Sequence, residues 1–320
     1  MGQEFKSFVG IDVSEGWLEV CVLPQAARRR FAQDAQGWQA LGEVVVEQPA
    51  PLVVIEATGG LERPAARLLS AVGIAVAVVN PRHTRQFAKG LGWLAKTDRL
   101  DAALLARYGA LAQPTAHPPL GVAQARLQAL VLRRRQLAQQ VNAEGNRLRR
   151  ATEALIRCSL TAHLAWLKAE LAALDEHIAA ALAAQPEGSE RATILASVPG
   201  VGPVATSTLL ALLPELGRRD GTAIAALAGL APIAQDSGQR RGQRCIDGGR
   251  AVVRCALYMA TLVASRHNPV IRAFYQRLVA AGKARKLALT AAMRKLLVIL
   301  NAMLRDGSTW NPDHAAATNP

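Results

Sequence analysis

Two apolar runs, each stopped by one acid, constrain this chain most. Leu52-Val53-Val54-Ile55 runs straight into Glu56. A short continuous run, rather than an alternating one, is how a strand buried on both faces reads. The apolar stretch over residues 5–12 ends in the same way, at Asp12 in Gly10-Ile11-Asp12-Val13-Ser14. Between them, Trp17 to Leu23 alternates like a second strand, and Arg28 to Asp34 suits a third. Helical spacing covers residues 36–47 and 61–72. Ile74 to Val79 is another buried strand, stopped by Asn80-Pro81, and residues 98–112 form a helix.

Three strands followed by β-α alternation predict an α/β domain over residues 1–113, either RNase H-like or a generic doubly wound sheet. Pro114, Pro118 and Pro119 mark a linker. Two long helices follow over 120–185. Leu160, Leu164, Leu167, Leu171, Leu174 and Ile178 form a heptad seam. The earlier helix is less regular, since Arg134 and Glu144 interrupt Leu127, Leu130, Leu137, Val141, Leu148 and Leu155. Pairing within one chain and dimerisation are equally open. Residues 190–307 read as a helical domain, with helices near 250–266, 269–281 and 284–305, and residues 308–320 as a loose tail.

Lysine and arginine number 38 against 24 acids, a net charge of +14, which calls for a polyanionic partner, nucleic acid first. Cys21, Cys158, Cys245 and Cys255 form no CxxC pair, which argues against zinc and against a disulfide framework. Neither a signal peptide nor a membrane span is visible, so a cytoplasmic, nucleoid-associated protein without membrane contact is expected.

Open α/β sheets place their sites at strand ends. Asp12 and Glu56 occupy such ends, and Asp98 and Asp101, in Lys96-Thr97-Asp98-Arg99-Leu100-Asp101-Ala102, share one helix face. Singly, each acid reads as a cap or a solvated charge. Together they offer hard oxygen donors for Mg²⁺ and phosphoryl transfer. Gly10-Ile11-Asp12-Val13-Ser14 also resembles the first phosphate loop of actin-like ATPases, with Glu56-Ala57-Thr58-Gly59-Gly60 as a weak second loop. Val198-Pro199-Gly200-Val201-Gly202-Pro203-Val204 looks like the turn of a helix-hairpin-helix, where Gly200 and Gly202 let backbone N–H groups approach phosphate. A packing turn is the plainer reading. Ser237 in Asp236-Ser237-Gly238-Gln239-Arg240-Arg241-Gly242 lies among Arg240, Arg241, Arg244 and Arg250, whose forks suit phosphate oxygens. A serine must be activated before it attacks phosphorus, and no adjacent histidine does so. On these residues alone a capping serine in a basic loop is the preferred reading.

Taken in order, these motifs resemble the insertion-sequence transposases with an acidic DEDD tetrad, the bridge-RNA-guided serine recombinases, along nearly the whole chain. Asp12, Glu56, Asp98 and Asp101 fall on the tetrad, and Asn80-Pro81 also fits. Ser197-Val198-Pro199-Gly200-Val201-Gly202 matches the start of the C-terminal transposase domain, Leu227-Ala228-Gly229-Leu230-Ala231-Pro232 a following motif, and Ser237-Gly238 the nucleophile motif. Ala256-Leu257-Tyr258 falls on the next helix. Cys255 after Arg254 and Asp247-Gly248-Gly249-Arg250 depart from the usual pattern. The resemblance implies an RuvC-like (RNase H-like) N-terminal domain, a coiled coil, and a helical transposase domain. It also implies Mg²⁺ on the tetrad, a phosphoserine intermediate at Ser237, and nucleic-acid contacts from Arg240, Arg241, Arg244, Arg250, Arg254, Gly200 and Gly202. The expected partners are target and donor DNA, a non-coding bridge RNA and further copies of the chain, the tetrad and serine coming from different protomers. A Holliday-junction nuclease with a structural Ser237, and a non-catalytic actin-like ATPase or nucleic-acid scaffold, are the alternatives.

Overall fold

The computed structural model describes residues 4–93, 98–117, 120–234, 236–237, 242 and 244–312, with the backbone alone at 98 and 99. It forms two compact units, Met1–Leu120 and Gly121–Pro320.

The first unit holds a five-stranded sheet. In chain order its elements are β1 (Ser7–Val13), β2 (Trp17–Leu23), β3 (Ala27–Ala32), α1 (Ala35–Val46), β4 (Pro51–Glu56), α2 (Arg63–Ala71), β5 (Ala75–Val79), α3 (Pro81–Gly90) and α4 (Asp98–Ala112). The strand order is β3-β2-β1-β4-β5, antiparallel across β3-β2-β1 and parallel across β1-β4-β5. This mixed sheet is consistent with the RNase H-like DEDD transposase fold. The two central runs are buried on both faces, as continuous apolar sequence requires. Val9, Ile11, Val53 and Ile55 point to one side and pack with Leu41 and Val45 of α1 and Leu69 of α2. Leu52 and Val54 point to the other and meet Leu105 of α4.

Gly10 sits where α4 crosses β1. A Cβ there would lie 2.1 Å from the Ala102 carbonyl oxygen and 2.3 Å from the Ala106 nitrogen. Backbone thus meets backbone, and no side chain can yield. Asn80-Pro81 stops β5 as expected and also begins helix α3, which the sequence reading does not predict. In the structure Asn80 Oδ1 accepts from the Arg82 N–H at 2.9 Å, and Pro81 takes the first helical position, where a missing N–H costs nothing.

The second unit contains α5 (Val122–Arg150), α6 (Ala154–Ala183), α7 (Gly188–Ala196), α8 (Pro203–Leu212), α9 (Gly221–Leu227), β6 (Pro232–Ile233), β7 (Cys245–Ile246), α10 (Ala251–His267), α11 (Pro269–Ala280) and α12 (Arg285–Asp306). Helices α5 and α6 pair as a hairpin. Leu164, Leu167 and Ile178 of the heptad seam are buried. At the hairpin base, Leu127, Val131, Ile178 and Leu182 join the core formed by α7–α12, so the long helices and the helices that follow share one core. Helix α12 is long and apolar enough to cross a membrane, but 56% of that stretch is buried in this core. Trp310 is also tied down: it packs on the core, and its N–H donates to Ser197 Oγ at 2.9 Å.

The two residues that broke the heptad pattern are partnered across the hairpin. Arg134 forms a two-pronged pair with Asp175. Glu144 is 9% exposed, accepts from Arg147 at 2.8 Å and lies 3.5 Å from His163 Nδ1. Its Oε2 is buried with no hydrogen-bond partner among the described residues.

Two stability predictions follow from these contacts. Gly10→Val forces α4 off β1 and is expected to cost about 1–3 kcal/mol, the usual range for overpacking, in urea melts of the purified chain. Glu144→Leu removes a desolvated carboxylate from an apolar seam. It is expected to raise stability by roughly 1 kcal/mol, because a buried carboxylate oxygen without a hydrogen bond is removed while the partners left behind, Arg147 and His163, are 65% and 47% exposed and stay solvated. A clear loss in the same melts would contradict this account of the seam.

Candidate functional site

Strand alternation decides where the acids point. Ile11 and Ile55 are register partners and both bury toward α1 and α2. Their successors Asp12 and Glu56 therefore face the α4 side, at adjacent strand ends. Asp101 lies on the first turn of α4, one residue before Ala102, which docks against Gly10. Asp12, Glu56 and Asp101 are all half-buried. The Asp98 side chain lies outside the described residues. Among the described residues no three His, Cys, Asp or Glu side chains gather closely enough to hold a metal ion. In kind, however, the donors suit a hard divalent cation, since all are carboxylate oxygens.

Glu19 with its partner Arg30, Thr84, and Glu62 also shape this end of the sheet. Glu19 is the cross-strand partner of Asp12 and is 8% exposed. Arg30, its own partner on β3, pairs with its carboxylate. Thr84 of α3, 1% exposed, places its hydroxyl 2.6 Å from Glu56 Oε2. Glu62 Oε2 accepts from the N–H groups of Thr58 at 3.0 Å and Gly60 at 2.9 Å. Those N–H groups are what a second phosphate loop would need, so the loop after β4 is internally satisfied and the actin-like reading loses its weak second motif. A lone acid in an otherwise apolar strand was the available signal for Glu19. The other two needed the fold.

In the second unit, Ser237 is exposed on the loop of a short hairpin. Pro232 pairs with Ile246 and Ile233 with Cys245. Asp236 Oδ1 accepts from the Gly242 N–H at 3.1 Å within the loop. Below it the chain narrows to a neck. Gly229 and Gly249 have φ of +70° and +63°, and a Cβ on Gly249 would sit 2.1 Å from the Gly229 nitrogen. Only glycine permits both the left-handed backbone and that approach.

The arginines near Ser237 divide into two kinds. Arg250 forms a two-pronged pair with Glu215, both contacts at 2.6 Å, and donates to the Leu212 carbonyl at 3.0 Å. Arg254 donates to the Gly248 carbonyl at 2.7 Å. Both side chains brace the neck rather than extend toward a ligand. Arg244 is exposed. Arg240 and Arg241 lie outside the described residues. Gly202 caps α8 with extended backbone. Gly200 has φ +102°, and a Cβ there would lie 2.6 Å from the Ala264 nitrogen, so the expected phosphate turn is also a packing turn against α10.

Comparison with known proteins gives these places a context. A family model described as transposase, of the DEDD IS110 type, matches residues 9–155. A second, the transposase IS116/IS110/IS902 family, matches residues 192–276. The pilin gene-inverting protein of Moraxella bovis is 30% identical over 321 residues, covering 96% of this chain and 98% of that protein. Its counterpart in Moraxella lacunata aligns equally well, at 30% over 321 residues. The uncharacterized 43.6 kDa protein of insertion element IS110 in Streptomyces coelicolor is 33% identical over 159 residues, 48% of this chain and 37% of that protein. An acid-edged mixed sheet in a chain so matched defines a transposase, an enzyme that cuts and rejoins DNA. The chain belongs to the IS110/IS116/IS902 family of insertion-sequence transposases. DEDD transposase domains normally use divalent metal ions.

The split among the arginines makes a direct prediction. Arg250→Ala is expected to lower the melting temperature and unsettle the serine loop, because it leaves Glu215 without its fork. Arg244→Ala is expected to keep the melting temperature and weaken DNA binding, with a shallower dependence of affinity on salt. Thermal melts and a salt series of DNA-binding isotherms check both, and the reverse pattern would sink the assignment.

Proposed function

We propose that this transposase is a Mg²⁺-dependent, RNA-guided serine recombinase, in which Asp12, Glu56, Asp98 and Asp101 hold the cation and Ser237 attacks the scissile phosphate. The observation that carries the reading is the end-to-end likeness to proteins named for inverting a pilin gene. Inversion leaves no broken strand, so each cut is matched by a rejoining. A covalent phosphoserine suits that need, because it stores the phosphodiester bond while strands exchange. Ser237 Oγ forms a bond to phosphorus as the bond to one DNA hydroxyl oxygen breaks, and that hydroxyl leaves with a proton. A second DNA hydroxyl then attacks the phosphoserine and restores the Ser237 hydroxyl.

The loop position of Ser237 supports this role, since it is exposed and stands on a glycine-closed neck that limits its drift. A divalent ion would supply charge neutralisation at the phosphate when bound. Asp12, Glu56 and Asp101, which do not gather as a metal cluster in the described residues, would have to draw together around it, with Asp98 one helix turn from Asp101. Asp236, next to Ser237, accepts from the Gly242 N–H and so links the two sides of the loop. We assign the activation of Ser237 to a composite site with the tetrad, from its own or a neighbouring protomer of a homo-oligomer. The +14 charge fits a protein that binds both DNA and a structured bridge RNA in the cytoplasm. In such a system base pairing chooses the sequence, and the protein reads backbone and shape.

The test is covalent capture. Wild-type protein with its flanking DNA and co-expressed non-coding RNA is expected to yield a phosphoserine adduct at Ser237, absent from Ser237→Ala. An adduct that persists in the variant means the nucleophile is another residue. Mixing Ser237→Ala with Asp12→Asn, each inactive alone, is expected to restore part of the cleavage if the site is built in trans. RNA sequencing of the purified protein is expected to return one discrete transcript, and random fragments would count against the guide.

A further inference from the structure

We infer that Thr84 is a positioning residue for Glu56, fixing which carboxylate oxygen faces the cation; the inference rests on the metal-binding reading of Glu56 given above. The Thr84 hydroxyl is 2.6 Å from Glu56 Oε2 and 3.0 Å from the Pro81 carbonyl. A hydroxyl has one proton. The shorter contact lies in the range of an O–H donated to a carboxylate, the stronger class of bond, so the proton goes to Glu56. The Pro81 oxygen then only flanks the hydroxyl.

The placement comes from the local backbone. Glu56 ends β4 opposite Val79 of β5, and the Ala57 N–H donates to the Val79 carbonyl at 3.0 Å. The next residue, Asn80, caps α3, and Pro81 starts it. Thr84 is four residues past that cap and buried to 1% exposure, so the first turn of α3 carries it directly onto Glu56. Its β-branched side chain has few rotamers and holds the hydroxyl stiffly. Oε2 is thereby engaged from within the protein, and Oε1 is the oxygen left to face a cation. Partners that orient ligating carboxylates in this way commonly change metal affinity by about 10- to 100-fold when removed.

The experiment uses the purified full-length chain and Mn²⁺, which binds the same oxygen donors as Mg²⁺ and gives a calorimetric signal. Thr84→Val keeps the shape and removes the hydroxyl. It is expected to weaken Mn²⁺ binding by about ten-fold, at the lower end of that range, in a chain that is still folded before metal is added. Thr84→Ser keeps the hydroxyl and is expected to recover most of the affinity. If Glu56→Gln loses Mn²⁺ but Thr84→Val binds as wild type does, Thr84 is merely structural and the inference falls alone. If Glu56→Gln also binds as wild type does, the metal role of Glu56 falls and takes the inference with it. Should Thr84→Val not fold, Thr84→Ala against Thr84→Ser makes the same comparison, and equal affinities would overturn the proposal.

Discussion

The contact between Gly10 and the first turns of α4 is what the acidic end of the first unit depends on. Three backbone atoms of α4 would collide with any side chain at position 10. Removing that side chain lets α4 lie on β1 itself, not on a layer of side chains above it. Asp101 immediately precedes one of the touching residues, and Asp12 lies two residues beyond Gly10. The spacing of the acids is thus set by main-chain geometry, which is stiffer than any arrangement of rotamers. Glycine here serves close approach, since its backbone needs no left-handed conformation.

The serine end is organised by a related device with a different purpose. Gly229 and Gly249 cross at a distance closed to other residues, and both adopt left-handed backbone. Arg250 and Arg254 then lash the neck to Glu215 and to carbonyls of the preceding segment. A basic protein that handles DNA has reason to spend guanidinium groups on itself here. Each fork satisfies several acceptors in a fixed plane, which a lysine does not do. The base of the hairpin that carries Ser237 is thereby held by backbone and side chains together.

How much of this was legible follows from which signals are local. Apolar runs ending at Asp12 and Glu56 gave β1, β4 and two acids, because burial on both faces leaves an unbroken mark in sequence. The heptad seam of α6 was equally plain. Asn80-Pro81 is legible as the end of β5 but not as the start of α3, a second role that rests on the Asn80 cap. Arg250 and Arg254 carry a signal of charge but none of direction, because Glu215, which Arg250 grips, is remote in the chain. Thr84 and Glu19 matter through strand register and helix placement, which only the folded chain supplies. Ser237 and the acids of the sheet lie in separate compact units, so no single stretch of sequence covers both.

The polar pair positions in the α5–α6 hairpin carry a consequence of another kind. Arg134 answers Asp175, and Glu144 answers His163, at two heights along an otherwise apolar seam. An all-leucine seam would let one helix ratchet past the other by a turn with little penalty. Here each step would strand a guanidinium or a carboxylate against hydrocarbon. The hairpin therefore behaves as a ruler with two engraved marks: evolution can lengthen or shorten it beyond those marks only in whole repeats, and anything carried at its tip keeps a defined height and bearing above the core.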